Sequence, residues 1–184
     1  VFEVVEDQVR RVEELFRPET YFLSHDEIRV ACWSEPERQS GRSAGQQLAA
    51  NVRRCVEIIR RINPQARLGI WSDMFDPSHN AVKDFYLVNG DLAGSWEGLP
   101  QDMIIVNWNS GQPAQSLPFF AQRGHVQVLA GYYDGPPDRI RDWLAAGRNL
   151  KGIQGVMYTT WRGDFSQLEA FAEYAWGHGN AAVP

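Results

Sequence analysis

The sequence predicts an α/β protein built on a parallel sheet. Five apolar runs of strand length are separated by segments with the three-and-four spacing of amphipathic helices. Strict alternation of strand and helix requires right-handed crossovers and therefore parallel strands. The interiors of the runs, such as 104–106 and 126–129, are mostly apolar, as in strands covered on both faces.

The first elements follow in order from the amino terminus. Apolar spacing predicts a helix over 2–16, which Pro18 ends. The first strand run covers 21–27. A longer amphipathic helix covers 48–62 and ends at Asn63-Pro64, and the second strand run, 68–73, follows within a few residues.

The rest of the chain repeats this alternation. Strand runs are predicted at 103–109, 126–134 and 153–161, and helices at 80–88, 114–122, 138–150 and 166–176. Residues 1–176 are therefore predicted to form one domain. Residues 177–184 are predicted to be a frayed tail.

Two architectures fit this order: an open doubly wound sheet, or part of a TIM (β/α)8 barrel. A complete barrel needs about 250 residues and eight strands, whereas this chain has 184 residues and five strand runs. We favour a partial TIM barrel of about five parallel βα units preceded by one helix, with three units missing before Val1. Such a fragment has two exposed edge strands, which predict a homo-oligomer or a longer natural polypeptide.

Composition limits the classes of function. The fractions of hydrophobic (43%) and charged (22%) residues are those of an ordinary globular protein. A net charge of -5, with 18 basic and 23 acidic residues mixed along the chain, argues against a nucleic-acid partner. No run of about 20 apolar residues is present, so no membrane span is predicted. We predict no cofactor, and no Gly-rich phosphate loop is found.

The cysteines indicate neither a metal cluster nor a disulfide scaffold, since only Cys32 and Cys55 occur. Cys55 falls on the apolar face of the long helix, which predicts a buried, inert thiol. Asp73, Asp76 and His79 have a spacing that suggests a metal site. Pro77 interrupts that spacing, and we predict a turn there instead.

Asp26-Glu27 is the sharpest chemical feature. At the end of a strand, the side chains of two adjacent acids can both point toward the same edge of the sheet. Like charges held close favour retention of a proton on one of them, which suits general-acid catalysis. The alternatives are two solvated acids, or an ion pair between Glu27 and Arg29. His25, directly before the pair, is predicted either to tune it or to be an ordinary packed imidazole.

Aromatic residues at the strand ends are the second signal. Trp71, Trp108 and Trp161 follow three different strands, and Tyr132-Tyr133 follows a fourth. Core packing is the usual fate of tryptophan. Flat aromatic faces also cover the C–H surfaces of sugars, while acids and amides bind the hydroxyls. The polar residues at the same ends are Asp73, Asn107, Asn109 and Asp134, and the combination predicts a carbohydrate pocket.

With these residues the chain resembles glycoside hydrolase family 20, the β-N-acetylhexosaminidases, over strands four to eight of the family's barrel. The resemblance implies that Glu27 is the general acid/base and that Asp26 orients the substrate's 2-acetamido group. It also implies further substrate-binding residues: Trp71 as a wall, 99–109 as the strand-six segment, Tyr132 as partner of the acetamido carbonyl, Asp134 as a hydroxyl acceptor and Trp161 at the pocket floor.

Two positions depart from the family pattern. Glycines usually precede the Asp-Glu pair, whereas this chain has Ser24-His25. The acid expected two residues after Trp161 is replaced by Gly163, with Asp164 one position later.

The resemblance implies a glycosidase that releases terminal β-linked N-acetylhexosamine with retention. Weak or no hydrolysis is expected from this chain alone, because three of eight rim loops are missing. The alternatives are a carbohydrate-binding or catalytically degenerate barrel without turnover, and an open flavodoxin-like domain that binds a small anion.

Overall fold

A computed structural model of the chain describes residues 1–29, 39–83, 90–132 and 134–177. The strands are β1 (Thr20–Phe22), β2 (Arg67–Trp71), β3 (Ile104–Asn107), β4 (Gln127–Tyr132) and β5 (Ile153–Thr159). They form one parallel five-stranded sheet in the order β1-β2-β3-β4-β5. The α/β prediction is confirmed. A doubly wound sheet reverses its strand order at a switch point, and this order has no reversal, which is consistent with part of a barrel-like fold.

The described residues also form five α-helices: α1 (Phe2–Phe16), α2 (Ala44–Ile62), α3 (Pro113–Gln122), α4 (Ile140–Gly147) and α5 (Leu168–Trp176). The helix predicted at 80–88 is not observed at 80–83, which form turns and bends, and 84–89 lie outside the described residues. The helix predicted at 138–150 begins with a 3-10 turn over Pro137–Arg139 and ends at Gly147. None of the described helices is both long and apolar enough to cross a bilayer.

The chain divides into two compact units, residues 1–104 and 105–184. In the first unit, α1 ends where Arg17 adopts a left-handed backbone and donates its N–H to the Glu13 carbonyl. Helix α2 begins with a reciprocal capping box, in which Ser43 and Gln46 each accept a hydrogen bond from the other's backbone N–H. Asn63 caps its other end, as the sequence predicts.

Helix α2 supplies much of the first unit's core. Its buried residues lie on one face and include Val52 and Ile58, and β2 adds Leu68 and Ile70. Cys55 is buried on the same face, as predicted, and burial raises the pKa of its thiol. Cys32 lies outside the described residues.

A close backbone contact fixes α2 against the 3-10 helix Ser95–Gly98. A Cβ atom at Gly98 would lie 2.5 Å from the Cα of Ala49, and one at Gly45 would lie 2.1 Å from the carbonyl oxygen of Ala93. Only glycine fits at these two positions. Because α2 is fixed in this way, its side chains can hold the loop that follows β1.

The second unit has its own core. Its buried residues come from five helices and strands of that unit: Leu117, Leu129, Tyr132, Ile140, Trp143, Ile153, Phe171 and Ala175. Gly131 in β4 is packed so closely that an added Cβ would lie 2.8 Å from the Ile140 side chain. This packing fixes the carboxyl end of β4, where Tyr132 and Asp134 lie.

Candidate functional site

The loop that follows β1, residues 23–27, will be called the β1 loop. Its first two residues still run alongside β2, because the Leu23 N–H donates to the Gly69 carbonyl at 2.8 Å and the Ser24 carbonyl accepts from the Trp71 N–H at 3.3 Å. The chain then leaves the sheet, and Asp26 and Glu27 fall in irregular structure. Strand β1 is therefore shorter than the predicted run 21–27.

Left-handed backbone is concentrated at two strand ends. Among the described residues, six non-glycine residues have positive φ, and one of them, Arg17, is a helix cap. The other five are Ser24 (56°), His25 (62°), Glu27 (47°), Tyr132 (72°) and Asp134 (54°). This conformation costs a residue with a side chain about 1–2 kcal/mol, and such strain clusters at functional sites.

His25 anchors the β1 loop to α2. Its Nδ1 lies 2.7 Å from the Leu23 carbonyl oxygen, so Nδ1 carries a proton and donates it. Its Nε2 lies 3.0 Å from the side-chain amide of Asn51. Asn51 also accepts from the Cys55 thiol at 3.8 Å. The imidazole is thus bonded at both nitrogens and connects the β1 loop to helix α2.

Asp73 anchors the same loop from the other side. Its carboxylate is fully buried, and Oδ2 accepts the backbone N–H of Glu27 at 3.0 Å and the side-chain N–H of Asn80 at 2.8 Å. The Asp73 carbonyl also accepts the Asn80 N–H at 3.0 Å. This residue was predicted to bind sugar, but the structure places it behind the loop, in contact with Glu27.

Asp26 and Glu27 are half-buried residues. In the part of the chain that the structure describes, neither carboxylate has a hydrogen bond or an ion pair, and Glu27 does not pair with Arg29. Trp71, at the end of β2, is also half-buried and packs edge-on against Phe22, with 5.1 Å between ring centroids. The first unit therefore offers two acids without protein partners in the described chain, on a loop held from behind.

The segment 76–80 is a turn, as the sequence predicts. Asp76 Oδ1 accepts the Ser78 N–H at 2.7 Å, and the Asp76 carbonyl accepts the His79 N–H at 2.9 Å. Within the described residues no group of three His, Cys, Asp or Glu side chains could hold a metal ion. Burial lowers the pKa of His79 to about 4, so its imidazole is neutral near pH 7.

In the second unit, Asn107 belongs to a buried polar network. Its Nδ2 donates to Ser116 Oγ at 2.8 Å and lies 3.3 Å from Gln127 Oε1, and its Oδ1 accepts the Asn109 N–H at 3.3 Å. These bonds occupy the side chain that was predicted to contact sugar. Trp108, between the two asparagines, is half-buried.

Asp134 ties β4 to the loop after β5. Its Oδ1 accepts the Thr160 hydroxyl at 2.5 Å, and its Oδ2 accepts the backbone N–H groups of Trp161 at 2.7 Å and Arg162 at 3.2 Å. These hydrogen bonds, the one from Thr160 first, lower the pKa of Asp134. Both carboxylate oxygens, predicted to accept sugar hydroxyls, already accept hydrogen bonds from the chain itself.

Tyr132 is similarly occupied. Its ring is 7% exposed and stacks on Tyr158 with 4.2 Å between centroids, and its hydroxyl donates to Asp164 Oδ2 at 3.3 Å. The hydrogen bond with Tyr158, together with burial, raises the pKa of Tyr132. Trp161 is 67% exposed. Tyr133 lies outside the described residues.

Sequence reasoning missed the residues that position these ends: Asn51 and Asn80 in the first unit, and Thr160 in the second. One signal was present, since Asn51 lies between Leu48 and Cys55 on an otherwise apolar helix face. The displaced acid Asp164 was noticed only as a departure, and the structure pairs it with Tyr132.

A scan against protein-family models finds no match to this chain, and a search of curated proteins finds none either.

Proposed function

We propose that this chain carries the acid pair of a glycoside hydrolase that releases terminal β-linked N-acetylhexosamine by a substrate-assisted, retaining mechanism. The observation that carries the proposal is the β1 loop, where strained backbone presents Asp26 and Glu27 while neither carboxylate bonds to another described residue. In contrast, the carboxylates of Asp73 and Asp134 accept hydrogen bonds from the chain itself.

The backbone of Ser24 and His25 adds support. The resemblance to family 20 has glycines at these positions, and the present side chains were its first departure. Both residues nevertheless have left-handed backbone, the conformation that glycine adopts without steric cost. The departure is in side chain and not in backbone path, which favours the family's loop geometry here.

The sheet supports the barrel part of the proposal. Five parallel strands in sequential order match a run of consecutive βα units. We propose that they are strands four to eight of a TIM barrel. The Asp-Glu pair then lies after a strand's carboxyl end, where catalytic residues of such barrels are found.

The proposed reaction assigns one role to each acid. Glu27 donates a proton to the glycosidic oxygen as its bond to the anomeric carbon breaks, and the substrate's own acetamido oxygen bonds to that carbon to form an oxazolinium ion. Asp26 orients the acetamido group and stabilises its positive charge. Glu27 then removes a proton from the water that opens the ring, so the configuration is retained.

The test compares two substrates with the full natural polypeptide that contains this chain. Aryl N-acetyl-β-glucosaminide should be hydrolysed and aryl β-glucoside should not, because only the former carries the internal nucleophile. Asp26→Asn should slow the acetamido substrate. Equal rates on both substrates, or equal loss on both in the variant, would indicate an ordinary double displacement and contradict the proposal.

A carbohydrate-binding protein without turnover is the second candidate, and the second unit favours it. Asp134 and Tyr132, the predicted sugar contacts, are hydrogen-bonded within the protein, while Trp161 is exposed. Saturable binding of N-acetylglucosamine, lost in Trp161→Ala, with no hydrolysis by the full polypeptide would select this candidate.

A further inference from the structure

Three of the five residues of the β1 loop have a backbone conformation that their side chains disfavour. A loop of this kind persists only when neighbouring groups fix it. Two side chains outside the loop do so: Asn51 bonds to the His25 ring, and Asp73 bonds to the Glu27 N–H. The second contact reaches the residue that carries the proposed proton donor.

Asp73 is an unusual residue to bury. A fully buried carboxylate has lost its hydration, which is expensive unless hydrogen bonds replace it. Oδ2 receives two such bonds, from Glu27 and from Asn80, and Asn80 is itself fully buried. Because Asn80 holds Oδ2 of Asp73 in place, that oxygen is a fixed acceptor for the Glu27 N–H behind the loop.

We propose that Asp73 is a positioning residue for Glu27. This inference deepens the proposed function and rests on it for its catalytic consequence. Asp73 receives the Glu27 N–H and so fixes the left-handed turn at that residue, and Asn80 fixes the carboxylate of Asp73 in turn. Asp73 does not touch the substrate. It acts through the Glu27 backbone N–H, and the Glu27 carboxylate has no hydrogen bond to another described residue.

The chain offers a matched control in Asp76. Asp76 is equally buried and three residues further on, and its carboxylate accepts the Ser78 N–H instead of a bond from the β1 loop. Replacing either acid with alanine removes a buried carboxylate from the same segment. Only Asp73→Ala removes the partner of Glu27.

The first measurement does not depend on activity. Hydrogen exchange of the Glu27 amide, resolved by NMR in this chain, should accelerate about 10- to 100-fold in Asp73→Ala. Asp73→Asn, which keeps a neutral acceptor oxygen, should give an intermediate rate, and Asp76→Ala should leave the Glu27 amide unchanged. Unchanged exchange in Asp73→Ala, or the same acceleration in Asp76→Ala, would overturn the inference.

The second measurement separates this inference from the proposed function. In the full polypeptide, Asp73→Asn should lower kcat on aryl N-acetyl-β-glucosaminide about 100-fold while KM stays nearly constant. A change in KM alone would contradict a positioning role. If the unmodified polypeptide does not hydrolyse this substrate, the proposed function fails, and the exchange measurement still decides whether Asp73 fixes Glu27.

Discussion

The β1 loop and the end of β4 are built alike but use their acids differently. Both have left-handed non-glycine residues, and at both a carboxylate accepts backbone N–H groups. In the β1 loop that carboxylate is Asp73, a buried neighbour, and the carboxylates of Asp26 and Glu27 have no bonded partner in the described chain. At the end of β4 the carboxylate is Asp134, which is itself the residue predicted to accept sugar hydroxyls.

Acids at strand ends can serve chemistry or structure, and the two ends show how the two uses can be distinguished. Sequence position is the same in the two cases. The distinguishing property is whether the oxygens are already occupied by N–H or O–H groups of the protein. By this criterion the acids that we propose for catalysis lie at the first end, and the carboxylate at the second end holds two loops together.

The largest expected effect is on activity at the first end. Glu27→Gln should slow hydrolysis by the full polypeptide ~10²–10⁴-fold, because acid-base assistance is lost. Its melting temperature should not fall, since the carboxylate has no described protein partner to lose. Glu19→Gln, an exposed acid before β1, is the control and should be fully active. Full activity of Glu27→Gln would contradict the acid-base role proposed for Glu27.

The next effect concerns acid sensitivity. The pKa of His79 is about 4 in the folded chain and 6.5 as a free side chain. Above pH 6.5 the imidazole is neutral in the folded and in the unfolded chain, so the free energy of unfolding has its full value. As the pH falls toward 4, the unfolded chain binds the proton first, and the free energy of unfolding drops by about 3 kcal/mol. Urea unfolding between these pH values should show the drop.

His79→Gln should flatten this pH dependence, and the same slope in the variant would contradict the assignment.

The second end, after β4, should behave differently. Hydrogen bonds lower the pKa of Asp134 and of Asp164 below the ordinary value of 3.8. Their contribution is present above that value and is lost only in stronger acid. At pH 5 the Trp161 amide should therefore stay protected while the Ala81 amide begins to exchange.

Asp134→Ala tests the structural half of the comparison. It removes the acceptor of three hydrogen bonds, so the Trp161 amide should exchange at least about 10-fold faster and the melting temperature should fall by several degrees. Asp138→Ala, an exposed acid four residues later, is the matched control and should do neither. An unchanged melting temperature in Asp134→Ala would show that the acid is free to bind a ligand.

The smallest expected effect is a gain in stability. Ser24 has a φ of 56° and an exposed side chain, so Ser24→Gly should relieve the backbone and stabilise the chain by about 0.5–1 kcal/mol. Ser110→Gly is the control, since Ser110 is exposed and has no left-handed backbone. Denaturant midpoints measure both. Destabilisation by Ser24→Gly would show that the hydroxyl is needed in the loop.

Much of the fold could be predicted because apolar spacing records which residues face the core. All five strands lie within the predicted runs or begin one residue before them, and α1 matches its prediction. The helix predicted from residue 80 was wrong over its described part. Asp76 there accepts the N–H groups of Ser78, His79 and Ala81, and a turn satisfies the backbone instead.

The roles of polar side chains were harder to predict. Asp73 and Asn107 follow or end strands exactly as pocket residues do, and nothing in the spacing says that both are fully buried. Burial of a polar group depends on whether partners such as Asn80 or Ser116 come within bonding distance. Those contacts join residues seven and nine positions apart through tertiary geometry, which a one-dimensional pattern does not contain.

The left-handed backbone of the β1 loop also limits which sequences can replace it. Glycine at positions 24 and 25 would suit the observed φ angles, but at position 27 it would remove the carboxylate. A saturation library of 24–27 selected for folding should therefore enrich glycine at 24 and 27 and retain His25, whose ring bonds to Leu23 and Asn51. Selected for hydrolysis in the full polypeptide, the same library should enrich glycine only at 24. Position 27 is where conformational preference and chemistry demand different amino acids.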